Sequence, residues 1–284
     1  VSESSTARSC PACDSGDSSS AFAVDGFEHA QCRRCGTLFV SPLPDAETIR
    51  QVYEAPDYHH SVEDSAPRML DEARGRAAVL QERGCRTLLE IGCGAGYFLD
   101  ACAELGIQAE GVDGGPTGAR ARARGLVVHD TWVEEFEPGH EFDAVALWEV
   151  IEHLPRPISA LQRLRTFVRD GGSLAMSTPS WSGVPARAMG RRFPMLTPPE
   201  HLTIFSRDGL SRLLERAGFR PFRWTSFSGL DADKIGRNLQ RYLLGQSRVA
   251  GAVASVLGRA GELPVQWLDR AGLGTSFELY AEAV

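Results

Sequence analysis

Thr87-Leu-Leu-Glu-Ile-Gly-Cys-Gly-Ala-Gly-Tyr-Phe-Leu-Asp100 is the stretch whose reading decides the fold. Leu88, Leu89 and Ile91 form an apolar run broken by one acid, Glu90, and followed by Gly92, Gly94 and Gly96. Phe98, Leu99, Cys102 and Leu105 then fall on one helical stripe, which Gly106 stops. Strand, glycine turn and helix in this order open a nucleotide-binding βαβ unit. The glycines let a ligand lie against the backbone, and the helix N-terminus faces it. A dinucleotide fingerprint carries its third glycine one residue later, where Tyr97 stands. An acid at the strand end suits a cationic ammonium better than a pyrophosphate, which like charge repels. Ala109 to Asp113 reads as a second short strand ending in an acid. Asp113 lies twenty-three residues after Glu90, near the roughly 20-residue interval at which such an acid meets ribose hydroxyls.

Leu88 to Leu99, taken with Asp113, resembles the cofactor-binding motifs of class I S-adenosylmethionine-dependent methyltransferases. The resemblance implies an α/β fold with a Rossmann-like, seven-stranded sheet and S-adenosyl-L-methionine as cofactor. It assigns cofactor contacts to Glu90, Gly92, Cys93, Gly94, Gly96, Asp113 and Gly114. It also assigns Asp130 and Thr131 after the third strand, where an acid meets the adenine amino group, and Leu147 and Trp148 ending the fourth. A loop-capping role is the alternative for Asp130.

Net charge is −7, which gives no general attraction to nucleic acid or to an anionic membrane. No apolar run approaches the roughly 20 residues of a membrane span. The polar N-terminus, Val1 to Ser9, lacks a signal-peptide core, so a cytoplasmic location is expected. Four of the seven cysteines lie in two Cys-x-x-Cys pairs, Cys10/Cys13 and Cys32/Cys35, separated by eighteen residues. That spacing matches a four-thiolate structural zinc site, a disulfide framework being the rival. Phe22, Val24, Phe27, Leu38 and Phe39 are too few to make a core there without metal. The first sixty residues are acidic, whereas a ribbon that grips RNA should be basic.

Residues 1–44 are therefore expected to form a zinc ribbon, 45–85 a connector with lid helices, and 86–284 the methyltransferase core. Asp45 is placed to cap a short helix holding Ile49, Val52 and Tyr53. Tyr58, His59 and His60 follow in a loop that is either a surface loop or a lid over the ligands. Leu70, Ala73, Ala77 and Leu80 mark a helix leading into the core. Leu126 to His129, Phe142 to Trp148 and Ser173 to Thr178 read as the third to fifth strands, with a helix from Pro157 ending at Gly171-Gly172. Ser206 should cap a helix that Gly218 stops, and Phe219 to Phe227 and Phe277 to Ala281 complete the sheet. Joining these last two strands normally takes a hairpin, so the helical stretch around 231–270 reads as an inserted lid over the substrate pocket.

The sulfonium of S-adenosylmethionine needs no activation by the protein, which must align donor and acceptor and remove a proton from a hydroxyl or carbon acid. His153 and His201 are the candidate bases at the cofactor end of the sheet. Glu149, Glu152 and His153 resemble the Glu-x-x-Glu-His of ubiquinone-pathway O-methyltransferases, which can hold a divalent metal such as magnesium beside a catechol. Bonding to backbone and loop is the alternative. Glu200-His201 resembles the segment that supplies a histidine base in zinc-ribbon sugar C-methyltransferases, with a structural anchor as the alternative. Those enzymes continue into a further C-terminal domain not found before Val284, which moves the expectation toward oxygen or nitrogen. His201 is the favoured base, oriented by Glu200, with His153 in reserve. The chain as a whole resembles a small-molecule methyltransferase of sugar or natural-product pathways with an N-terminal zinc ribbon. O-methylation of a hydroxyl is the first expectation, with C- or N-methylation, an RNA methyltransferase and a non-catalytic cofactor-binding scaffold as the alternatives.

Overall fold

The structure, a computed structural model, describes residues 8–54, 66–228, 261 and 263–284. Two sheets organise it. The larger has seven strands: β4 (Thr87–Ile91), β5 (Gln108–Val112), β6 (Val128–His129), β7 (Phe142–Trp148), β8 (Val168–Pro179), β10 (Phe219–Phe227) and β11 (Ser276–Ala283). They lie in the order β10-β11-β8-β7-β4-β5-β6. The strands from β8 to β6 run parallel, and β11 enters antiparallel between β8 and β10. The chain builds outward from β4 through β5 to β6, then returns to β7 on the other side of β4. The gap beyond the carboxyl ends of β4 and β7 is thus the switch point at which such sheets bind ligands. Buried on both faces, these strands read as apolar runs rather than as alternating ones.

Helix α2 (Ala66–Glu82) buries Ala73, Ala77 and Leu80 as its spacing predicts. Around the sheet follow α3 (Tyr97–Glu104), α4 (Pro116–Ala123) and α5 (Pro157–Arg165). Helix α1 (Ala46–Glu54) starts where Asp45 Oδ1 accepts from Thr48 N at 2.7 Å. Helix α6 (Arg207–Arg216) starts where Ser206 accepts from Gly209 N at 2.9 Å. Both caps fall where the sequence puts them.

Three expectations change. The third strand begins at Val128, not Leu126, because the Leu126 side chain turns in against Gly96: a Cβ on that glycine would sit 2.3 Å from Leu126 Cδ1. Helix α5 ends at Arg165, and Gly171-Gly172 lie inside β8, where the pairing with β7 shifts register. The ribbon, moreover, does not stand alone. Its strands β1 (Ser18–Val24), β2 (Phe27–Cys32) and β3 (Leu38–Val40) form a second sheet completed by β9 (Thr203–Ile204), far along the chain. Leu38 packs with Trp181, Phe193 and Leu196 from the loop after β8 and with Ile204 of β9, which supply the apolar core the ribbon lacks by itself. Tyr58, His59, His60 and most of the expected insertion lie outside the described residues. The end of that insertion, 263–270, is helical.

Candidate functional site

Glu90 is the fourth residue of β4 and is buried between β5 and β7. Its Oε2 has no hydrogen-bond partner, and burial raises its pKa well above the usual carboxylate value, against the pull of the Arg76 charge. A buried carboxyl oxygen left without a partner needs a cause, and a bound cation is one. The turn after it separates two kinds of glycine. Gly96 (φ +82°) is walled in by Leu126 and Ala121, whereas Gly94 (φ +50°) has nothing within 4 Å of where a Cβ would stand. Gly94 therefore leaves a cradle open above the backbone. Asp113, one residue past β5, closes its side: Oδ2 accepts from Gly94 N and Oδ1 from Gly115 N, each at 2.8 Å.

The other residues assigned to the cofactor divide. Gly92 is exposed at the turn, while Cys93 is buried against Gly111, with burial raising its thiol pKa. Gly114 lies under the exposed ring of Trp132, and Thr131 is half-buried beside it. Asp130 is exposed and paired with Arg122 at 3.1 Å. Leu147 is fully buried in the sheet, and Trp148 stands edge-on to Phe98 with its Nε1 buried and unpartnered. Arg76, which the sequence reading missed, stacks over Trp148 at 4.2 Å and donates to Glu278 at 2.9 Å. Its signal was there: it lies three residues from Ala73 and four from Leu80, a cation on the apolar stripe of α2.

At the end of β7 the chain turns sharply. Glu149 adopts a left-handed conformation (φ +54°), uncommon for a residue with a side chain and a mark of local constraint. It is open to solvent on one side and crowded by protein on the others, which raises its carboxyl pKa. A short 3-10 turn, Ile151–His153, then buries Glu152 completely. Thr178 Oγ1 donates to Glu152 Oε2 at 3.0 Å, while Oε1 has no hydrogen bond and lies 4.0 Å from His153 Nε2. Burial and the neighbouring Glu149 charge raise the Glu152 pKa well above its usual value.

His153 and His201 meet edge to face, ring centres 4.7 Å apart. Each is held by a backbone carbonyl at Nδ1, His153 by Glu200 at 3.1 Å and His201 by Met195 at 2.6 Å. A carbonyl only accepts, so Nδ1 carries the hydrogen in both rings, and in a neutral ring Nε2 keeps the lone pair. Burial lowers the His201 pKa, keeping it neutral at pH 7. Glu200 thus meets this pair through its backbone, and among the described residues its carboxylate makes no hydrogen bond to His201.

The ribbon holds this corner in place. Leu202 N donates to Glu152 O and Val40 N to Leu202 O, both at 2.9 Å, while β3 pairs with β9 just beyond. The Arg8 guanidinium donates to Leu202 O (3.0 Å) and Pro155 O (3.3 Å) and stacks over Phe39. Ser206 and Thr37 bond each other, and Ser206 Oγ donates to Cys35 O.

Cys10, Cys13, Cys32 and Cys35 are buried together, their sulfurs all within 4.8 Å. Cys10–Cys35 and Cys13–Cys32 sulfurs stand 3.6 and 3.5 Å apart. Four thiolates about 2.3 Å from a tetrahedral zinc are separated by about 3.8 Å, so the set fits that ion.

The Methyltransferase domain family matches residues 54–222, more than half of the chain. The chain belongs to this family. It is an S-adenosylmethionine-dependent methyltransferase. The "Ubiquinone biosynthesis O-methyltransferase" of Bradyrhizobium sp. (strain ORS 278) is 28% identical over 173 residues, 51% of this chain and 68% of that protein. Its namesake from Xanthomonas campestris pv. campestris (strain B100) is 34% identical over 122 residues, 39% of this chain and 49% of its own. Matches to such relatives span from about half to four fifths of their length. An S-adenosylmethionine-dependent methyltransferase from Archaeoglobus fulgidus shares the fold, with a TM-score of 0.52 and 22% identity over 75% of this chain and 94% of its own. So does the plantazolicin methyltransferase solved with S-adenosylhomocysteine, with a TM-score of 0.52 and 14% identity over 83% and 94%. The open cradle at Gly94, the unpartnered Oε2 of Glu90 and the clamped Asp113 suit the cofactor this family uses.

Proposed function

We propose that this methyltransferase transfers the methyl group of S-adenosylmethionine to a hydroxyl oxygen of a small molecule. Glu90 takes the cofactor ammonium, Asp113 the ribose hydroxyls, and Asp130 with Thr131 the adenine edge. Gly92, Gly94, Gly96 and Gly114 give the backbone room, and Leu147 and Trp148 bound the methionine half. The cofactor supplies an electrophilic methyl on a sulfonium. What remains for the chain is to align the acceptor and take its proton.

The observation that carries the reading is the corner of Glu152, His153 and His201 just past β7. There, both imidazoles are fixed at Nδ1, and burial keeps His201 neutral, with an Nε2 lone pair able to accept a proton. A hydroxyl needs such a proton acceptor, whereas an amine needs only alignment once deprotonated. The names of the relatives support the same choice of atom. Cys10, Cys13, Cys32 and Cys35 hold a structural zinc ion, and Cys85, Cys93 and Cys102 remain free thiols, which suits a reducing, cytoplasmic setting.

The test is methyl transfer from isotopically labelled S-adenosylmethionine to panels of hydroxylated, amino and carbon-acid small molecules, with the product bond read by mass spectrometry and NMR. Label on oxygen, lost in His201→Ala, is the expected result. Label on nitrogen or carbon alone overturns the reading.

A further inference from the structure

We propose that Arg8 is a positioning residue for the corner of His153 and His201: one guanidinium, its charge balanced by the metal–thiolate centre of the ribbon, holds the two histidine-bearing segments against each other. The inference rests on the reading that this corner receives the acceptor's proton, and it names what sets the corner's geometry.

The contacts single Arg8 out. Its Nη1 donates to Pro155 O at 3.3 Å, two residues past His153, and its Nη2 to Leu202 O at 3.0 Å, the residue after His201. A guanidinium is planar and rigid, so the fork itself sets the spacing of the two carbonyls. The fork is fixed in turn by the ribbon. Its Cζ lies 5.4 Å from the centre of the Phe39 ring, and the Arg8 backbone N donates to Ser41 Oγ at 3.2 Å. Phe39 pairs with Thr203 across β3 and β9, one residue beyond Leu202. Arg8 therefore joins three stretches of chain that are distant in sequence, and two of them carry the histidines.

The charge is the second observation. Nε of Arg8 is buried and makes no hydrogen bond. Two neutral carbonyls and a ring do not offset a buried cation, which is costly unless an anion stands near. Burial works against the Arg8 charge, and the Cys10 thiolate, two residues on, works for it. A buried thiol is neutral, whereas four thiolates on one zinc ion leave two negative charges at Cys10, Cys13, Cys32 and Cys35. Metal in the ribbon thus favours the charged fork, and by linkage the fork favours the metal.

Two substitutions separate fork from charge. Arg8→Met removes both, and Arg8→Lys keeps the charge alone. The full zinc-loaded chain gives three readouts. Imidazole nitrogen–proton correlation spectra follow His153 and His201, assigned from His153→Ala and His201→Ala. Competition with a chelator gives zinc affinity, and turnover is measured on the hydroxylated acceptor found with the labelled-cofactor panel. Arg8→Met should shift both imidazole signals and weaken zinc binding by about tenfold, the lower end of the usual outer-shell range. It should also cut kcat by about 10–100-fold, the scale of a misplacement of about 1 Å. Arg8→Lys should keep the zinc affinity, yet still shift the imidazoles and lose turnover, because the fork is gone. S-adenosylhomocysteine affinity should stay constant in both, which also shows that they are folded; its loss would make Arg8 a general prop of the fold and overturn the inference. Unmoved imidazole signals in Arg8→Met would overturn the positioning role, and unchanged zinc affinity the balancing of its charge. If the signals stay while His201→Ala still loses turnover, the inference fails and the proton-acceptor reading stands. If the signals shift and turnover does not change, Arg8 holds the corner and the proton-acceptor reading fails.

Discussion

The proposed cofactor cradle and the proposed acceptor corner sit side by side beyond β4 and β7, and they are made in opposite ways. Glu90, Gly94 and Asp113 come from one strand, one turn and the end of the next strand, and local backbone bonds hold them. The acceptor corner draws Glu152 and His153 from the end of β7, Thr178 from β8, and Met195, Glu200 and His201 from the loop before β9. It is then pinned by the ribbon through Arg8, Val40 and the β3–β9 pair. One site is a property of a short stretch of chain. The other exists only once distant parts have folded together, so damage far away should reach it and spare the cradle.

The largest effect that would separate the two comes from the cradle itself. Glu90→Ala should abolish measurable S-adenosylhomocysteine binding by isothermal titration, because the ammonium loses its buried partner. Asp113→Ala should weaken it by about 1–3 kcal/mol, the range for losing charge-assisted hydrogen bonds. Wild-type affinity in both variants would remove the cradle from the account.

Next comes the corner. His201→Ala should cut turnover by about 10²–10⁴-fold, the usual contribution of general-base proton removal, while cofactor affinity stays nearly constant. Full turnover in this variant, with loss in His153→Ala or Glu149→Ala, would move the chemistry onto the end of β7.

The contrast also explains what could be read from the chain. Glu90, the glycines and Asp113 follow a fixed spacing, and spacing is visible in a sequence. The strand starting at Val128 was misjudged because Leu126 is as apolar as a strand residue, and only its packing on Gly96 tells it apart. The β3–β9 pair joins residues 38–40 to 203–204, and nothing local in either segment names the other. For the same reason His153 and His201 were legible as candidates but not as neighbours. The magnesium trio was inferred from residues adjacent in sequence, whereas the structure gathers Glu152 and His153 with a histidine almost fifty residues away. Arg76 went unread because a cation on an apolar helix stripe is easily taken for a surface residue.

Cys13→Ser probes whether the ribbon matters to the corner. It should lose the thiolate-bound metal, loosen β1 to β3 and, through β9, displace His201. Misplacement by about 1 Å can cost on the order of 100-fold in rate, so a fall in turnover of about 10–100-fold is expected, with cofactor affinity kept. Unchanged turnover in a chain shown to lack the ribbon metal would make the two units independent.

The smallest effect concerns protons on the cradle. In the free protein, burial raises the Glu90 pKa well above 4.5, so between 4.5 and that raised value the folded chain holds a proton that the unfolded chain releases. This contribution to stability is fully present below about pH 4.5 and is lost as pH rises through the raised pKa. The cofactor ammonium favours the carboxylate and draws the pKa back down, so binding within the same window expels up to one proton. Affinity should therefore climb with pH, by no more than tenfold per unit, and level off above the free-protein pKa. Titrations of S-adenosylhomocysteine in two buffers of different ionisation enthalpy read the proton release directly. Glu90→Gln should abolish the release and flatten the pH dependence of the ligand-free melting temperature, because no charge then has to be buried. An equal release in the variant would assign the proton to another group and leave the Glu90 carboxyl already ionised before the cofactor arrives.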